Sequence, residues 1–315
     1  MALLTPMTLD QARLAARPFG LDLAAVEPLR AGSVNSNFRL TARDGSRWFA
    51  RLYEEQGPEG AAAEVALVRA LAERGVPTPA PLERTSGGAL GAHAGRPLAI
   101  FPWVDGELLC QARVTRDACE AVGEALALVH LSGVAAPGVG RFTSAALEAR
   151  LDRIERDAPP GLAEAAAPIR AALRRYSAVR DPALPRGLIH GDLFRDNVLW
   201  QGGRVAALID FESAAQGPLA YDLMVTLLAW CRGARLEPEL MRALLRGYRA
   251  HRELDARELA ALPIEGAIAC LRFATTRITD FAMRAPPGAS PLRDYRRFLG
   301  RLAELEAGAL DALRA

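Results

Sequence analysis

The stretch HGDLFRDN, at residues 190–197, contains the side chains that point most directly to chemistry. Asp192 and Asn197 lie five positions apart after an apolar run, so they are predicted to share one loop. Phosphoryl transfer needs this separation, because one side chain must contact the attacking hydroxyl group while the other reaches a metal ion on the nucleotide phosphates. His190 has no proton to move in that scheme, and we expect it to stabilise the loop through hydrogen bonds. The spacing therefore predicts a site for phosphoryl transfer.

A second acidic residue, Asp210, follows thirteen residues after Asn197, directly after an apolar strand at residues 205–209. The Gln201-Gly202-Gly203 sequence predicts a hairpin turn, which would bring Asp210 back beside Asn197 as a second metal-binding oxygen. Loop polarity or helix capping would explain any one of these residues, but not the whole set in this order. The pattern therefore predicts that Asn197 and Asp210 bind Mg²⁺.

The amino-terminal part of the chain has the pattern of a small antiparallel sheet with one main helix. Three strands are expected between residues 26 and 53, with a tight turn at Asp44-Gly45. A helix is expected over residues 58–74, followed by strands near residues 82–85 and 98–101. These elements predict a lobe of five strands.

Long helical segments dominate the chain after residue 103, where the composition changes. We therefore predict an α+β fold with two lobes. Residues 1–102 would form a nucleotide-binding lobe, and residues 103–315 a helical lobe with the catalytic loop and the substrate site.

Several residues of the first lobe are candidates for nucleotide binding. The loop at residues 31–37 is rich in small residues and could place backbone N–H groups over phosphates, although it would serve equally as a plain turn. Arg51 lies where protein kinases have a lysine paired with a helical acid, and Glu64 is its natural partner. The interlobe strand could hold adenine, or could be a buried edge. The predicted set is Gly32, Ser33, Asn35, Ser36, Arg51, Glu64, Phe101, Trp103 and Val104.

The composition excludes several classes of function. The 39 basic and 37 acidic residues leave a formal charge of +2, which shows no nucleic-acid footprint. The chain contains no lysine, so a Schiff base is excluded. Its four cysteines are scattered singly, which argues against a zinc site and a disulfide framework. No signal peptide and no uncharged stretch of membrane-spanning length are visible, so we expect a cytoplasmic protein without a membrane partner.

Three motifs together resemble the aminoglycoside phosphotransferase and choline kinase superfamily, and the resemblance covers nearly the whole chain. They are HGDLFRDN, Ile209-Asp210-Phe211 and Tyr221-Asp222-Leu223. Within that superfamily the chain is most similar to the bacterial homoserine kinases. The segments that carry this finer similarity are Leu4-Thr5-Pro6, residues 31–38, Leu52-Tyr53-Glu54 and Leu271-Arg272-Phe273.

The resemblance implies a protein-kinase-like fold and transfer of the ATP γ-phosphate to the hydroxyl group of L-homoserine, a step towards threonine. Asp192 would be the catalytic base, Asn197 and Asp210 would bind Mg²⁺, and Asp222 would support the active-site helix. The chain departs from the superfamily at Arg51, where a lysine is usual. ATP and Mg²⁺ are thus the expected cofactors.

An amino-acid acceptor needs partners for a carboxylate and an ammonium group. Arg272 and Arg277 are candidates for the carboxylate, and Glu212 or Asp280 for the ammonium. Helical arginines are also commonly solvated or paired with nearby acids, which leaves a purely structural role open.

Three functions are compatible with the sequence. The first is a homoserine kinase, and the second is a kinase of another hydroxylated acceptor, such as an aminoglycoside, an amino alcohol or a protein serine or threonine. The third is a nucleotide-binding module without catalysis. In the first two cases the partner is the phosphate acceptor, and we expect a monomer or homodimer.

Overall fold

The structure of the chain, a computed structural model, describes residues 4–29, 34–136, 138, 140–285 and 293–313. It divides into two compact units. The first comprises Met1–Glu107 with Leu199–Glu212, and the second comprises Leu108–Val198 with Ser213–Ala315.

Helices and strands alternate at first, and helices dominate later. The α-helices are α1 (Leu9–Ala16), α2 (Pro58–Glu73), α3 (Arg116–Leu131), α4 (Ser144–Asp157), α5 (Pro160–Ala163), α6 (Ala166–Ala178), α7 (Leu219–Trp230), α8 (Pro238–Arg249), α9 (Ala256–Asp280) and α10 (Arg296–Glu306). The strands are β1 (Leu23–Leu29), β2 (Ser36–Ala42), β3 (Arg47–Leu52), β4 (Leu90–His93), β5 (Arg96–Pro102), β6 (Arg186–Ile189), β7 (Val198–Gln201), β8 (Arg204–Leu208) and β9 (Ala215–Pro218). The predicted α+β class is confirmed.

The first unit contains a five-stranded antiparallel sheet in the order β1-β2-β3-β5-β4. Side chains on alternate strand positions, among them Phe38, Leu40, Leu52 and Ile100, are buried together with the alanines of α1. The predicted helix is α2, which begins at Pro58 and ends before a glycine in the left-handed region. The sheet is therefore stabilised by burial of alternate strand residues in one apolar core.

The prediction of a strand near residues 82–85 is wrong. The fifth strand of this sheet is β4, which lies later in the chain. Pro81 has no backbone N–H group to donate to a ladder. Leu82 then makes a 2.7 Å bond to the carbonyl of Ile100, but the next donors turn to residues outside β5. This segment therefore runs beside the sheet without joining it.

The predicted boundary at residue 102 differs from the observed division in two places. Residues 103–107 and Leu199–Glu212 both belong to the first unit. The backbone explains this assignment, since Glu107 and Trp200 exchange N–H···O bonds of 2.8 and 2.9 Å. The second segment includes β8, and Leu208 donates to the carbonyl of Pro77 at 2.6 Å.

The hairpin predicted around Gln201 is confirmed, with β7 and β8 as its strands. Gly202 and Gly203 at its turn have φ values of 56° and 78°. A side chain disfavours this left-handed region, which is why the turn requires glycine. The hairpin delivers Asp210 to the first unit.

The longest helix, α9, forms the centre of the second unit. It begins with a capping box in which Asp255 and Glu258 bond to each other's backbone N–H groups. A longer span, Ala256–Arg284, is long and apolar enough to cross a membrane, but 78% of its most apolar window is buried within the protein. Its neighbours α6, α7 and α10 explain that burial, so α9 has the character of a core helix.

Helices α3 and α8 approach closely through two glycines. A Cβ atom on Gly123 would overlap the carbonyl oxygen of Leu244, and one on Gly247 would overlap that of Glu120. Because both clashes are with backbone, no side-chain movement can relieve them. Because glycine has no side chain, Gly123 and Gly247 allow the short distance between these two helices.

Candidate active site

The HGD loop, residues 190–197, follows β6, which pairs antiparallel with β9. Asp222 of α7 lies completely buried against its start. The two carboxylate oxygens of Asp222 accept the backbone N–H groups of His190 and Gly191, each at 2.7 Å. Nε2 of His130 lies 3.1 Å from the same carboxylate. These bonds satisfy a buried charge and fix the beginning of the loop.

The surroundings of Asp222 favour its ionised form. Burial alone would raise the pKa of Asp222, but the hydrogen bond and charge of His130, the charge of His190 and the N–H group of Gly191 outweigh burial and lower that pKa. His190 is itself buried, and its Nδ1 lies 3.3 Å from the backbone nitrogen of Asp192. Asp222 therefore supports the backbone of the loop, whereas the sequence predicted that it supports the active-site helix, and the role of His190 stays a prediction.

Glycine is required at position 191. Its φ is 75°, and a Cβ atom would lie 2.7 Å from the backbone oxygen of Ser213. That approach is closer than van der Waals contact, so any side chain at Gly191 would displace the loop.

Asp192 is a partly exposed carboxylate of the HGD loop. Its side chain is 29% exposed, and Oδ1 lies 3.2 Å from Nη1 of Arg272, whose side chain is 4% exposed. The Arg272 guanidinium lies 3.8 Å from the ring centroids of both Phe142 and Phe273. The cation is therefore held between two aromatic rings while one Asp192 oxygen stays in contact with it.

Asn197 ends the loop as a buried amide. Its Nδ2 group donates to the backbone oxygen of Asp192 at 2.8 Å. The donor end of the amide is thereby engaged, which leaves Oδ1 as the atom suited to a metal ion.

Arg51 of β3 lies among three carboxylates of the first unit. Its Nη1 is 3.1 Å from Glu64, 3.5 Å from Asp210 and 3.4 Å from Glu212. The predicted pairing of Arg51 with Glu64 of α2 is thus confirmed. One cation faces three anions, so the cluster carries an excess of negative charge.

Both titrating partners of this ion pair have shifted pKa values. Burial alone would lower the pKa of Arg51, but the carboxylates of Asp210, Glu64 and Glu212 outweigh it and raise that pKa. The pKa of Glu64 is raised as well. Burial and the charge of Asp210 raise it, and together they outweigh the lowering effect of Arg51.

Asp210 is the predicted metal ligand at the end of the β7–β8 hairpin, and its role as a ligand stays a prediction. Its buried Oδ1 has no hydrogen-bond partner among the described residues, although Arg51 is near. Its φ of 67° is uncommon for a residue with a side chain, which marks a backbone held in a particular orientation. The donor set therefore fits a hard cation that keeps water and phosphate ligands. No cluster of three or more histidine, cysteine or acidic ligands occurs in the described part of the chain, and a magnesium site does not need one.

A cavity of about 340 Å³ opens in the first unit beside this cluster. Phe101, Trp103 and Val104 line it, together with Arg51 and Glu64. Its walls are mainly apolar, which suits a flat aromatic base with charged groups at one end. The structure thus gathers five predicted nucleotide-binding residues around one cavity.

The predicted phosphate-binding loop is only partly within the described residues, since Gly32 and Ser33 lie outside them. Asn35 and Ser36 are buried. The amide of Asn35 bonds to Glu212 and to the backbone of Glu54, and the hydroxyl of Ser36 donates to Glu54 at 2.5 Å. Their side chains therefore serve contacts inside the unit, and nucleotide binding by this loop stays a prediction.

The other predicted acceptor-binding residues have varied surroundings. Arg277 donates to the backbone oxygen of Asp294 and lies 4.4 Å from the ring centroid of Phe298. Burial, together with neighbouring arginines, lowers the pKa of Arg277 to about 9. Asp280 is paired with Arg150 at 2.7 Å. Glu212 belongs to the Arg51 cluster of the first unit, and its role in binding an acceptor stays a prediction.

Sequence reasoning missed His130 and Phe142. His130 lies within α3, where its Nδ1 contacts the hydroxyl of Tyr248 at 2.7 Å. A lone histidine on a helix gives no sign of a partner ninety residues away, and only its place on the buried face of α3 sets it apart. Phe142 lies in a loop, where no periodicity identifies a ring that packs against a distant arginine.

Comparisons with known proteins show which proteins this chain resembles. The homoserine kinase of Methylocella silvestris is 37% identical over 278 residues, covering 84% of this chain and 83% of that protein. The homoserine kinase of Beijerinckia indica subsp. indica is 39% identical over 285 residues, covering 86% and 85%. A solved amicoumacin kinase, hAmiN, in complex with AMP-PNP, Ca²⁺ and Ami, superposes with a TM-score of 0.72 at 19% identity, covering 95% of this chain and 92% of that one.

The structural similarity confirms the predicted kinase-like phosphotransferase fold. Residues 25–254 match the family model described as APH, phosphotransferase enzyme family. That match covers most of the chain, including the HGD loop and Asp222, and ATP is the phosphoryl donor typical of such enzymes. This chain is a member of the phosphotransferase enzyme family.

Proposed function

We propose that the protein is a homoserine kinase, which transfers the γ-phosphoryl group of ATP to the side-chain hydroxyl group of L-homoserine. The observation that carries the proposal is the Asp192 carboxylate, partly exposed on a loop that the buried carboxylate of Asp222 fixes. The relatives named homoserine kinase, at 37% and 39% identity over most of both chains, support this acceptor over other hydroxylated molecules.

In the proposed reaction the acceptor hydroxyl group lies against the Asp192 carboxylate. The hydroxyl oxygen bonds to the γ-phosphorus, while the bond from that phosphorus to the bridging oxygen breaks and its electron pair leaves with ADP. Asp192 takes the hydroxyl proton late in this transfer, when the oxygen has become acidic through bonding to phosphorus. A carboxylate of ordinary basicity is adequate for this role.

Asn197 and Asp210 would hold Mg²⁺ through their side-chain oxygens. The metal ion neutralises phosphate charge when it is bound. Arg51 and Glu64 would border the phosphates, and the apolar cavity of the first unit would hold adenine. Each of these groups positions the donor, since phosphoryl transfer depends on alignment and charge rather than on covalent catalysis.

The test is ADP release with Mg-ATP and L-homoserine, compared in the wild type, Asp192→Asn and Asp196→Asn. Loss of a general base lowers turnover by about 10²- to 10⁴-fold, so we expect at least that loss in Asp192→Asn with ATP still bound. Asp196 lies on the same loop but forms an exposed pair with Arg293, so Asp196→Asn should keep its activity. Equal turnover in the wild type and Asp192→Asn would refute the assignment of the base.

A further inference from the structure

A second cavity, of about 480 Å³, lies within the second unit beside the HGD loop. Gly191 and Ser213 line one end of it, and Arg272 lines it as well. Because Arg272 contacts Asp192, this cavity adjoins the proposed catalytic carboxylate. It is the natural place for the molecule that carries the attacking hydroxyl group.

The charged residues that line the cavity are all arginines, two of which also pair with carboxylates outside the lining, Arg180 with Glu265 and Arg272 with Asp192. Four arginines line the cavity, and no aspartate or glutamate does among its described lining residues. The arginines are Arg141, Arg180, Arg186 and Arg272. Such a wall attracts an anionic group and disfavours a purely cationic acceptor.

Arg272 differs from the other three arginines of this wall because its side chain is buried. The rings of Phe142 and Phe273 hold its guanidinium, and Nη1 is committed to Asp192. Its Nε is buried and has no hydrogen-bond partner among the described residues. Arg180, by contrast, forms two bonds with the buried carboxylate of Glu265, at 2.7 and 2.5 Å.

We infer that the Nε–Nη2 edge of Arg272 binds the carboxylate of the acceptor. This inference rests on the proposed function and names the group by which the acceptor is recognised. Arginine binds a carboxylate through two parallel N–H···O bonds on such an edge, and Nη1 stays on Asp192. One planar cation thereby touches the catalytic carboxylate at one corner and the acceptor carboxylate along another edge.

The shared guanidinium also sets the distance between the two ends of the acceptor. A hydroxy amino acid must place its hydroxyl group at Asp192 and its carboxylate on the far edge of Arg272. L-Serine is one methylene shorter than L-homoserine, so it cannot satisfy both contacts as well. Arg272 thus selects for the carboxylate and for the length of the chain that bears it.

The test compares acceptor pairs that differ only in the carboxylate. These are L-homoserine with 3-aminopropanol, L-serine with ethanolamine, and L-threonine with 1-amino-2-propanol. In the wild type we expect kcat/KM to favour the carboxylate-bearing member, L-homoserine most of all. In Arg272→Lys and Arg272→Gln that preference should fall by about 10- to 100-fold, mainly through a higher KM for L-homoserine.

Arg232→Lys is the control, since Arg232 forms another partly buried ion pair of this unit, with Glu304. It should leave the preference unchanged. If Arg272 only orients Asp192, its variants would lower kcat for both members of a pair equally and keep the preference, which would overturn the inference. A wild type that favours the amines would overturn it as well.

The inference and the proposed function can fail separately. Turnover of L-serine over ethanolamine, without turnover of L-homoserine, would refute the homoserine kinase and support the carboxylate site. If no acceptor is phosphorylated, the proposed function falls. Calorimetric measurement of L-homoserine binding then tests the carboxylate site by itself. Weaker binding in Arg272→Gln than in the wild type would support that site, and equal affinity would overturn it.

Discussion

Arg51 shows how one side chain can hold together an otherwise repulsive cluster. Its side chain is 12% exposed, and its guanidinium faces Glu64, Asp210 and Glu212. The first unit therefore depends on Arg51 for charge compensation, whether or not nucleotide is bound.

We expect Arg51→Met to lower the free energy of unfolding by about 3–5 kcal/mol at pH 8, because it leaves buried carboxylates uncompensated. Burial already raises the pKa of Glu64, and the variant removes the lowering effect of Arg51, so the folded state is favoured at low pH and loses stability as pH rises through the folded pKa. The loss of unfolding free energy in Arg51→Met should therefore be smaller at pH 5 than at pH 8. Urea unfolding of the wild type and the variant at pH 5 and pH 8 measures this loss, and an equal loss at the two pH values would argue against charge repulsion.

Asp222 has the opposite linkage, since its folded pKa is lowered. Its contribution is present above the unfolded pKa, near 3.8, and is lost as pH falls through the lower folded value. Asp222→Asn should cost about 2–3 kcal/mol at pH 7 through the loss of charge-assisted bonds, and it should flatten the decline of stability below pH 4. Denaturant unfolding from pH 7 to pH 3 tests this, and an unchanged acid limb would contradict it.

At the scale of elements, the glycines of α3 and α8 set the distance between two helices. Alanine is the better residue inside an isolated helix, so retention of glycine here reflects packing and not propensity. The same argument does not apply to Gly300 of α10, where a Cβ atom would meet open space.

Gly123→Ala should destabilise the protein by about 1–3 kcal/mol, because the helices must separate to admit the methyl group. The matched control, Gly300→Ala, should stabilise it by about 0.5–1 kcal/mol through helix propensity alone. Thermal unfolding of the two variants would show shifts of opposite sign. Two shifts in the same direction would mean that the close approach of α3 and α8 does not control stability.

At the scale of the molecule, binding of nucleotide should appear as added stability. A ligand at about 100 times its Kd stabilises the native state by roughly 2.7 kcal/mol. We expect Mg-ATP to raise the unfolding temperature more than ATP with a chelator does. Asp210→Asn should remove that difference, whereas Asp22→Asn, which alters an exposed pair with Arg43, should keep it. A metal-dependent shift that survives in Asp210→Asn would exclude Asp210 as a ligand.

The sequence predicted those features that depend on local pattern. The sheet hairpins and α2 follow from alternation and turn residues. The Arg51–Glu64 pair follows from the place that a lysine and its acidic partner take in protein kinases. The prediction of a strand near residues 82–85 was wrong because the apolar pattern there follows Pro81, which cannot donate a hydrogen bond to a neighbouring strand. The Phe142 ring against Arg272 depends on packing between distant segments, which no local pattern encodes.

The two backbone bonds to Asp222 also bear on how the molecule opens. Amide hydrogens exchange with solvent only when their bonds break, and local openings differ widely in free energy. The amides of His190 and Gly191 are held by a fully buried side chain from α7, so their exchange requires that helix to leave its place. In deuterated solvent they should therefore be among the slowest loop amides to exchange, on the time scale of the α7 core. The proposed catalytic loop would then lose its shape only when the second unit unfolds.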